Sequence, residues 1–409
     1  MASTARNLVK VAIVGAGPGG LTLAAILRRL EIPCSIFELD ASPSARVQGS
    51  MLDIHKRSGQ LALEKAGLLD VFKKHMRVDA TEMFIRDHQG NVHIHHSEEG
   101  EEDPERPEID RAVLRKVLLD GVDPDTIQWG KKLVNIEIST TSEGTKNSFV
   151  LAFADGTKST EFDIVIGADG AWSRTRTLLR SSVPPTYVGI TYLWSVIKDI
   201  DARYPELSEY VGKGSCFTAD SGCKRGLVVA QKNGDGSLKS NVNFPAPENW
   251  KETSGIDWSK ADEDLEGVLK QFVEKVIPEW NDKAKELITR CDEGEMLVRP
   301  LYGYPPGYRF ENKVSGVTLL GDAAHVMPPF AGVGVNLAMH DAYDLALALE
   351  KIVVDGVAID TAMEEYEETM MVRAGENAVR TNQGGELFFG GGGLENTVVI
   401  LKKIFSGAA

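Results

Sequence analysis

The chain lacks the features of a disulfide-stabilised, membrane-spanning or nucleic-acid-binding protein. Its 409 residues include only four cysteines and no Cys-x-x-Cys pair, which argues against a disulfide framework or a zinc site. No apolar run approaches the roughly 20 residues that cross a bilayer. The net charge of −15 disfavours nucleic acid and anionic membranes as partners. The start of the chain also lacks the shape of a signal peptide, so we expect a cytoplasmic protein with no membrane span and no metal.

What the chain does contain is one G-x-G-x-x-G turn near its start, preceded by an apolar strand and followed by a helical pattern. Gly15 allows a tight turn, Gly17 lets the backbone approach a pyrophosphate, and Gly20 permits close packing of helix on strand. The helix that follows presents free N–H groups and the positive end of its dipole to phosphates. We therefore expect these glycines and Ala16 to bind a dinucleotide.

The acidic residue after the second strand of this unit narrows the choice of nucleotide. Glu38 closes that strand, at a position where a carboxylate accepts ribose hydroxyls and rejects a 2′-phosphate. FAD or NAD is therefore expected as the bound nucleotide, rather than NADP. No second turn of this kind opens another nucleotide domain. A nicotinamide co-substrate, NADPH or NADH, is therefore expected to bind only transiently.

A second Gly-Asp turn, ending at Asp322, favours FAD. It leads into a loop rich in proline and glycine and then into a helix. Asp322 is expected to hold the ribityl hydroxyls of the flavin, and Pro329 to stiffen the loop beside the ring. The backbone at Gly332, Gly334 and Asn336 begins the helix and aims N–H groups at the pyrimidine edge of the isoalloxazine. A helix N-terminus there stabilises the anion of a reduced flavin.

Across most of its length the chain resembles the class A FAD-dependent monooxygenases, or aromatic hydroxylases, and most closely their tetracycline-inactivating branch, the tetracycline destructases. The stretches that carry the resemblance are 49–56, 58–60, 65–68, 107–111 and 321–336. The resemblance implies that Asp53, Arg111 and Asp322 contact FAD, and that Arg46 lies where the family's nicotinamide-cofactor arginine lies. Leu133 is a further candidate cofactor contact.

The run Asp169-Gly170-Ala171-Trp172-Ser173-Arg174-Thr175-Arg176 resembles a second fingerprint of the family, which is linked to both FAD and the nicotinamide cofactor. Asp169 is the candidate cofactor residue in this run. An ordinary turn from strand to helix is the alternative interpretation.

These segments predict an α/β fold, with a Rossmann-like FAD-binding domain, an inserted and mostly antiparallel β-sheet substrate domain, and a C-terminal helix. The discontinuous FAD-binding domain is assigned to residues 1–75, 105–185 and 295–352. Residues 76–104 and 186–294 are assigned to the substrate domain, because short alternating runs there are separated by turn residues. The C-terminal helix is expected over 353–383, and a Gly-rich apolar tail over 384–409. Single helices are also expected over 56–74 and 110–119, the second capped by Asp110.

Five side chains are candidate walls of a substrate cleft by alternation and location: Trp194, Phe217, Val229, Asn241 and Phe330. The tetracycline destructases orient the drug with polar residues on the inserted sheet. At the corresponding positions this chain has Trp194, Val229 and Lys239. A polyketide-like or other polycyclic aromatic substrate is therefore favoured over tetracycline itself.

The resemblance implies a monooxygenase that consumes O2 and NADPH or NADH and hydroxylates an aromatic or polycyclic ring through a flavin C4a-hydroperoxide. No side chain is then required as a catalytic group, because the flavin carries the chemistry. Three alternatives stay open: a hydroxylase of a small phenolic acid, a flavin oxidase or dehydrogenase that inserts no oxygen, and a ligand-binding protein. We expect a monomer whose partner is a small aromatic molecule.

Several histidines and a terminal aromatic pair are secondary candidates. His93, His95 and His96 are expected to form a solvent-facing stripe rather than a metal site. His325 is expected to hold its loop rather than act as a general base. The pair Phe388-Phe389 either covers the substrate or packs the tail.

Overall fold

The computed structural model describes residues 9–45, 49–97, 100, 104–140, 147–181, 183–220, 226–310, 314–390, 394 and 397–400. Its strands are β1 (Val11–Val14), β2 (Cys34–Phe37), β3 (Met51–Asp53), β4 (Met83–Asp87), β5 (Val92–His96), β6 (Glu108–Asp110), β7 (Ile127–Gln128), β8 (Leu133–Thr140), β9 (Asn147–Phe153), β10 (Lys158–Phe162), β11 (Ile164–Gly167), β12 (Thr186–Ile197), β13 (Ser215–Ala219), β14 (Leu227–Lys232), β15 (Leu238–Pro245), β16 (Leu297–Gly303) and β17 (Val317–Leu319).

The α-helices are α1 (Pro18–Arg29), α2 (Leu61–Ala66), α3 (Leu69–His75), α4 (Arg111–Asp120), α5 (Arg174–Leu179), α6 (Ile200–Arg203), α7 (Pro205–Val211), α8 (Trp250–Thr253), α9 (Leu265–Val276), α10 (Asp282–Thr289), α11 (Asp322–His325), α12 (Gly334–Val354) and α13 (Ile359–Phe389). None of the helices within the described ranges is both long enough and apolar enough to cross a membrane.

A five-stranded parallel sheet forms the centre of the nucleotide domain, in the order β17-β11-β1-β2-β7. Alternation along β1 divides its side chains between two cores. Val11 and Ile13 face the cluster built with α1 and α12, whereas Ala12 and Val14 face a three-stranded antiparallel sheet of β8, β9 and β10. This burial on both faces is typical of a parallel sheet. The predicted Rossmann-like α/β fold is confirmed.

The second large sheet has seven strands in the order β16-β12-β15-β14-β13-β4-β5, and only β4 and β13 pair in parallel. One face packs against α7, α9 and α10 through residues such as Leu193, Cys216 and Val242. The opposite face, here called the front face, carries Trp194, Asn241, Val229 and Phe217. The mostly antiparallel inserted sheet is therefore confirmed.

The boundary predicted at residues 294/295 misplaces one strand. Strand β16, which had been assigned to the FAD-binding domain, pairs with β12 over residues such as Leu297 and Arg299 and so closes the edge of the inserted sheet. Alternating hydrophobicity alone does not reveal which sheet a strand joins, because the pairing partner lies about a hundred residues away in sequence.

Two local predictions are also wrong. The single helix expected over 56–74 is a π-helical turn (Lys56–Gln60) followed by α2 and α3. These two helices separate at Gly67, whose φ of +71° ends α2 in the left-handed conformation. Asp110 does not cap α4, because its carboxylate instead accepts a hydrogen bond from the backbone N–H of Gly234, at 2.8 Å.

The predicted end of the C-terminal helix is wrong as well. Helix α13 runs through the Gly384-Gly385 pair to Phe389, although glycine disfavours a helix interior. The pair allows a close approach: an added Cβ would lie 2.8 Å from the carbonyl oxygen of Phe330 at Gly384, and 3.1 Å from the Phe330 ring at Gly385. Tertiary packing against Phe330 therefore outweighs local propensity. The predicted tail residues 391–393, 395–396 and 401–409 lie outside the described residues.

Candidate functional site

The glycine turn between β1 and α1 has the geometry that a pyrophosphate requires. Gly15 has a φ of +109°, and its N–H donates to the carbonyl oxygen of Phe37 at 2.9 Å. A Cβ on Gly15 would collide with Ala168, and one on Gly20 with the Gly15 carbonyl. In contrast, a Cβ on Gly17 would meet no atom within 4 Å. The first and third glycines therefore serve packing, whereas the second lines open space at the N-terminus of α1.

Glu38 is buried directly beside this turn. Its Oε2 accepts a hydrogen bond from the N–H of Ala16 at 2.6 Å, and its Oε1 accepts one from the N–H of Asp40 at 2.9 Å. Arg115 fixes the other side of the turn by donating to the carbonyl oxygen of Ala16 at 2.7 Å. The structure thus brings the glycine turn, Ala16 and Glu38 together, and the Glu38 carboxylate holds the turn in place.

The segment after β3 and the start of α12 meet through Asn336. Its Nδ2 donates to the carbonyl oxygen of Asp53 at 2.8 Å, and its Oδ1 accepts from the N–H of His55 at 2.8 Å. The Asp53 carboxylate lies 2.7 Å from Nε2 of His55. These contacts join two of the sequence candidates across 283 residues of chain.

The N-terminus of α12 is open. The helix begins at Gly334 without a side-chain cap, so its first N–H groups are left for a ligand or water. A Cβ added at Gly332 or Gly334 would meet nothing within 4 Å, and Gly332 has a φ of +67°. Together with Pro329, which begins a one-turn 3-10 helix (Pro329–Ala331), these glycines form a cradle where the 326–333 loop meets α12.

Arg111 and Asp322 supply opposite charges to the same region. The Nε of Arg111 is buried without a hydrogen-bond partner. Burial lowers the pKa of Arg111, and the attraction of Asp322 partly offsets this. Asp322 is an exposed residue, yet the protein groups around its carboxyl raise its pKa by desolvation, and the charges of nearby His325 and Arg111 oppose the shift. Both side chains therefore have unused hydrogen-bonding capacity beside the cradle.

Asp169 binds the N-terminus of α5, whose N-cap residue is Ser173. Its carboxylate accepts hydrogen bonds from the hydroxyl of Ser173 at 2.5 Å and from the N–H groups of Arg174 and Thr175 at 2.8 and 3.1 Å. Desolvation raises the pKa of Asp169, and these bonds oppose the shift. This arrangement matches the ordinary strand-to-helix turn that was the alternative interpretation of the run, while the cofactor role of Asp169 stays a prediction.

Arg176, which sequence reasoning did not single out, connects the Asp169-Gly170 turn with the Gly321-Asp322 turn. It is 1% exposed, and it donates to the carbonyl oxygens of Ala323 at 2.6 Å and Ala171 at 2.8 Å. The only signal in the sequence was its place at the end of the fingerprint run. Its guanidinium orients α11, the short helix that carries Asp322.

His325 also has a structural partner. Its Nε2 lies 2.6 Å from the fully buried carboxylate of Asp341, which also accepts from the N–H of Gly321 and from Arg373, each at 2.9 Å. Burial alone would lower the pKa of His325, but the Asp341 charge and hydrogen bond raise it above its usual value. The cluster ties the second Gly-Asp turn to α12 and α13, in agreement with the predicted loop-holding role.

The candidate substrate residues of the sheet form one cross-strand row. Phe217 pairs with Val229, Val229 with Asn241, and Asn241 with Trp194, on four adjacent strands. Directly paired residues project to the same face of a sheet. Alternation and location in the sequence predict these residues only as separate wall candidates, so their continuity across the front face is a finding of the structure.

Contacts at both ends of the row show that the front face lies against the nucleotide domain and the 326–333 loop. Lys239, two residues from Asn241 on the same strand and face, donates to the carbonyl oxygen of Gly49 at 3.0 Å, and a Cβ on Gly49 would lie 3.1 Å from Nε of Arg111. At the apolar end of the row, Phe389 packs against the same hydrophobic cluster as Phe217 and Val229, which includes Ala219 and Leu227. The Phe389 ring also meets Phe330 of the 326–333 loop edge-on, with centroids 5.3 Å apart.

The remaining candidates are not part of this arrangement or are not described by the structure. The side chain of Leu133 is buried in the core between the parallel and three-stranded sheets, so only its backbone could reach a cofactor. Arg46 lies outside the described residues. The exposed His93 and His95 pair with Asp87 and Glu82 at 3.1 and 2.9 Å, and no metal-binding cluster occurs among the residues that the structure covers.

Comparison with known proteins identifies the group to which the chain belongs. The FAD binding domain family matches residues 8–230 and 308–381, more than half of the chain. Monooxygenase penA of Penicillium thymicola is 30% identical over 406 residues, which cover 89% of this chain and 92% of that protein.

Two solved structures share the fold at low identity. HpxO of Klebsiella pneumoniae, complexed with FAD and uric acid, has a TM-score of 0.73 at 20% identity, over 98% of this chain and 95% of that one. The tetracycline destructase Tet(51) has a TM-score of 0.63 at 20% identity, over 92% and 90% of the two chains. The match in sequence and the match in fold agree: the chain belongs to the FAD binding domain family and is an FAD-dependent monooxygenase.

Proposed function

We propose that this monooxygenase hydroxylates an aromatic or polycyclic small molecule, with O2 and NADPH or NADH as co-substrates, in the cleft between the front face and the 326–333 loop. The observation that carries the proposal is the row of Phe217, Val229, Asn241 and Trp194 on the face turned toward Arg111. A row of two aromatic rings, one aliphatic side chain and one amide suits a flat ring system with polar substituents.

The residues present fit FAD. The open space at Gly17 and the uncapped start of α12 are cradles that a Cβ would begin to fill, and the Nε of Arg111 lacks a partner. Gly15, Ala16 and Gly17 would hold the pyrophosphate at the N-terminus of α1. Glu38 would hold a ribose, because each carboxylate oxygen has two lone pairs and can accept a second hydrogen bond.

The flavin end of the cofactor would lie between the remaining candidates. Asp53, Arg111 and Asp322 would contact it, and the backbone of Gly332, Gly334 and Asn336 would face its pyrimidine edge. When bound, FAD supplies the redox chemistry that activates O2.

The chain itself would contribute positioning and the exclusion of water. The uncapped N-terminus of α12 favours negative charge beside it. The rings of Phe330 and Phe389 close the apolar end of the cleft, and Asn241 offers hydrogen bonds within it. Excluding water strengthens each of these polar interactions.

The nicotinamide co-substrate would bind transiently. The parallel sheet has five strands and one glycine turn, and no second nucleotide domain occurs among the described residues. Arg46 and Asp169 remain the predicted contacts for this step. We also expect a cytoplasmic protein that is a monomer. Light scattering during size exclusion would test its oligomeric state.

The test is oxidation of NADPH and NADH by the purified yellow protein, with tetracycline, polycyclic phenols and small phenolic acids, under 18O2. Stimulated oxidation together with a product that carries one 18O atom from a polycyclic compound supports the proposal. Labelled product from a phenolic acid alone favours the small-substrate alternative. Peroxide equal to the coenzyme consumed, with no labelled product from any compound, would make the protein an oxidase.

A further inference from the structure

Strand β15 carries a second asparagine on the front face, beside the one in the row. Asn241 and Asn243 alternate with Val242, which packs against the helices behind the sheet, so both asparagines project from the front face. Sequence reasoning did not single out Asn243, which is 5% exposed. Its register partners are Tyr192 on β12 and Leu227 on β14. Asn243 therefore lies within the sheet, next to a candidate substrate residue.

The two amides are hydrogen-bonded to each other in a fixed orientation. The Nδ2 of Asn243 donates to the Oδ1 of Asn241 at 2.5 Å, and it also donates to the carbonyl oxygen of Leu227 at 3.5 Å. A carbonyl oxygen can only accept, so the amino group of Asn243, and not its oxygen, must face Leu227. The atom of Asn241 that meets this amino group must in turn be its oxygen.

This chain of bonds leaves the amino group of Asn241 for a ligand. Its Nδ2 has no acceptor among the described residues, and Asn241 is only half-buried, so the group is accessible. Trp194, the register partner of Asn241, is also half-buried, and its indole N–H likewise meets no acceptor in the described part of the chain. An indole N–H donates and cannot accept. Both polar groups of the row are therefore hydrogen-bond donors.

Contacts on both sides place Asn241 inside the proposed substrate cleft. On one side, Lys239 on the same strand and face donates to the backbone of the nucleotide domain at 3.0 Å. On the other side, Val229, the partner of Asn241 on β14, packs against the same cluster as Phe389. The Phe389 ring in turn meets the 326–333 loop, with ring centroids 5.3 Å apart. The free amino group therefore lies between the two boundaries of the cleft.

We propose that Asn243 is a positioning residue that holds the Asn241 amide with its amino group toward the substrate, so that the row selects a ring carrying a hydrogen-bond acceptor. This inference rests on the proposed function and narrows its substrate class to aromatic rings with a carbonyl, enolate or phenolate oxygen. A ring that carries an amino group instead would bring a donor against donors. Such a mismatch loses the bond that the site offers, and it is disfavoured where water is excluded.

Two substitutions of Asn243 test the orientation. The carboxylate that Asn243→Asp introduces can only accept, so the Asn241 amide should rotate and present its oxygen to the cleft. Asn243→Leu removes the bond without adding charge, and it carries the test if Asn243→Asp does not fold. Gln231→Glu is the matched control, because it adds the same charge to the front face opposite Lys239, away from the amide pair.

The probes are 1-tetralone, whose oxygen only accepts, and 1-naphthylamine, whose amino group mainly donates. Their Kd values are measured by the change in flavin absorbance of the oxidised holoenzyme, which needs no turnover. The wild type should prefer 1-tetralone, and the ratio of the two Kd values should shift toward 1-naphthylamine by about tenfold in Asn243→Asp and about threefold in Asn243→Leu. An unshifted ratio in both variants, an equal shift in Gln231→Glu, or no binding of either probe to the wild type would overturn the proposal.

A double-mutant cycle tests whether Asn243 acts through Asn241. Asn241→Leu should weaken binding of 1-tetralone about tenfold, and adding Asn243→Leu should weaken it no further, because no amide is left to orient. Additive losses at unchanged flavin content would show that Asn243 has a structural role only, and would overturn the inference. Failure of the proposed function would instead appear as no oxygenated product from any compound, with the shift in the Kd ratio still present.

Discussion

Arg176 donates hydrogen bonds to two carbonyl oxygens, so its removal should destabilise the protein. Arg176→Ala leaves the oxygens of Ala171 and Ala323 without this donor, in a buried setting. We expect a loss of about 2–4 kcal/mol in the free energy of unfolding, together with lower flavin content, because α11 carries Asp322. Urea denaturation and absorbance of bound flavin measure the two effects. Arg174→Ala, at an exposed arginine, is the control and should change both little.

A second prediction at the scale of the residue concerns pH. The pKa of His325 is raised in the folded protein, so its pairing with Asp341 stabilises the protein fully below about pH 6.5, and this contribution is lost as pH rises through the folded pKa. His325→Gln should therefore flatten the decline in stability on the alkaline side of that value. Thermal unfolding across pH tests this, with His75→Gln at an exposed histidine as the control. A decline as steep as that of the wild type would show that His325 does not cause it.

Helix α13 provides a prediction at the scale of the element. Helix propensity alone would make Gly384→Ala stabilising, yet the new Cβ would lie 2.8 Å from the Phe330 carbonyl oxygen. We expect Gly384→Ala to destabilise the protein by about 1–3 kcal/mol and to displace the 326–333 loop. Gly375→Ala in the same helix is the matched control, because its Cβ would find its nearest atom, the backbone nitrogen of Gly307, at 4.0 Å.

The two alanine variants should change stability in opposite directions. Gly375→Ala should stabilise by up to about 1 kcal/mol, since only the propensity gain applies. Unfolding by urea with FAD present compares them, and flavin fluorescence reports on the loop. If both substitutions stabilise the helix equally, close approach to Phe330 is not the reason for the glycine pair.

At the scale of the whole molecule, cofactor binding and folding are linked. A ligand that binds only the folded chain stabilises it by about 2.7 kcal/mol at a hundred times its Kd, so the Tm should rise with FAD concentration. Arg111→Met should abolish most of that rise. It should leave the apoprotein at least as stable as the wild type, because it removes a buried guanidinium whose Nε has no partner. Calorimetry of both proteins with and without FAD measures the difference, and a less stable Arg111→Met apoprotein would contradict this reading of Arg111.

The sequence by itself determined the local geometry of nucleotide binding and the general architecture. Gly15, Gly17 and Gly20 could be interpreted in advance because steric demands within a few residues require glycine there. Likewise, the apolar run at residues 11–14 ahead of the glycine turn predicted a strand, and the structure buries that strand on both faces. Such signals depend on the backbone of one short segment, so they can be recognised without knowledge of the fold.

Only the tertiary structure decided which distant groups share a site. It placed Arg176 between the turns at Asp169 and Asp322, moved β16 into the inserted sheet and turned Asp110 from its helix toward Gly234. It also buried one carboxyl oxygen of Glu108 without a hydrogen-bond partner. Each outcome depends on partners far away in the chain, and burial and pairing energies between such partners exceed the weak local preferences that a sequence pattern expresses.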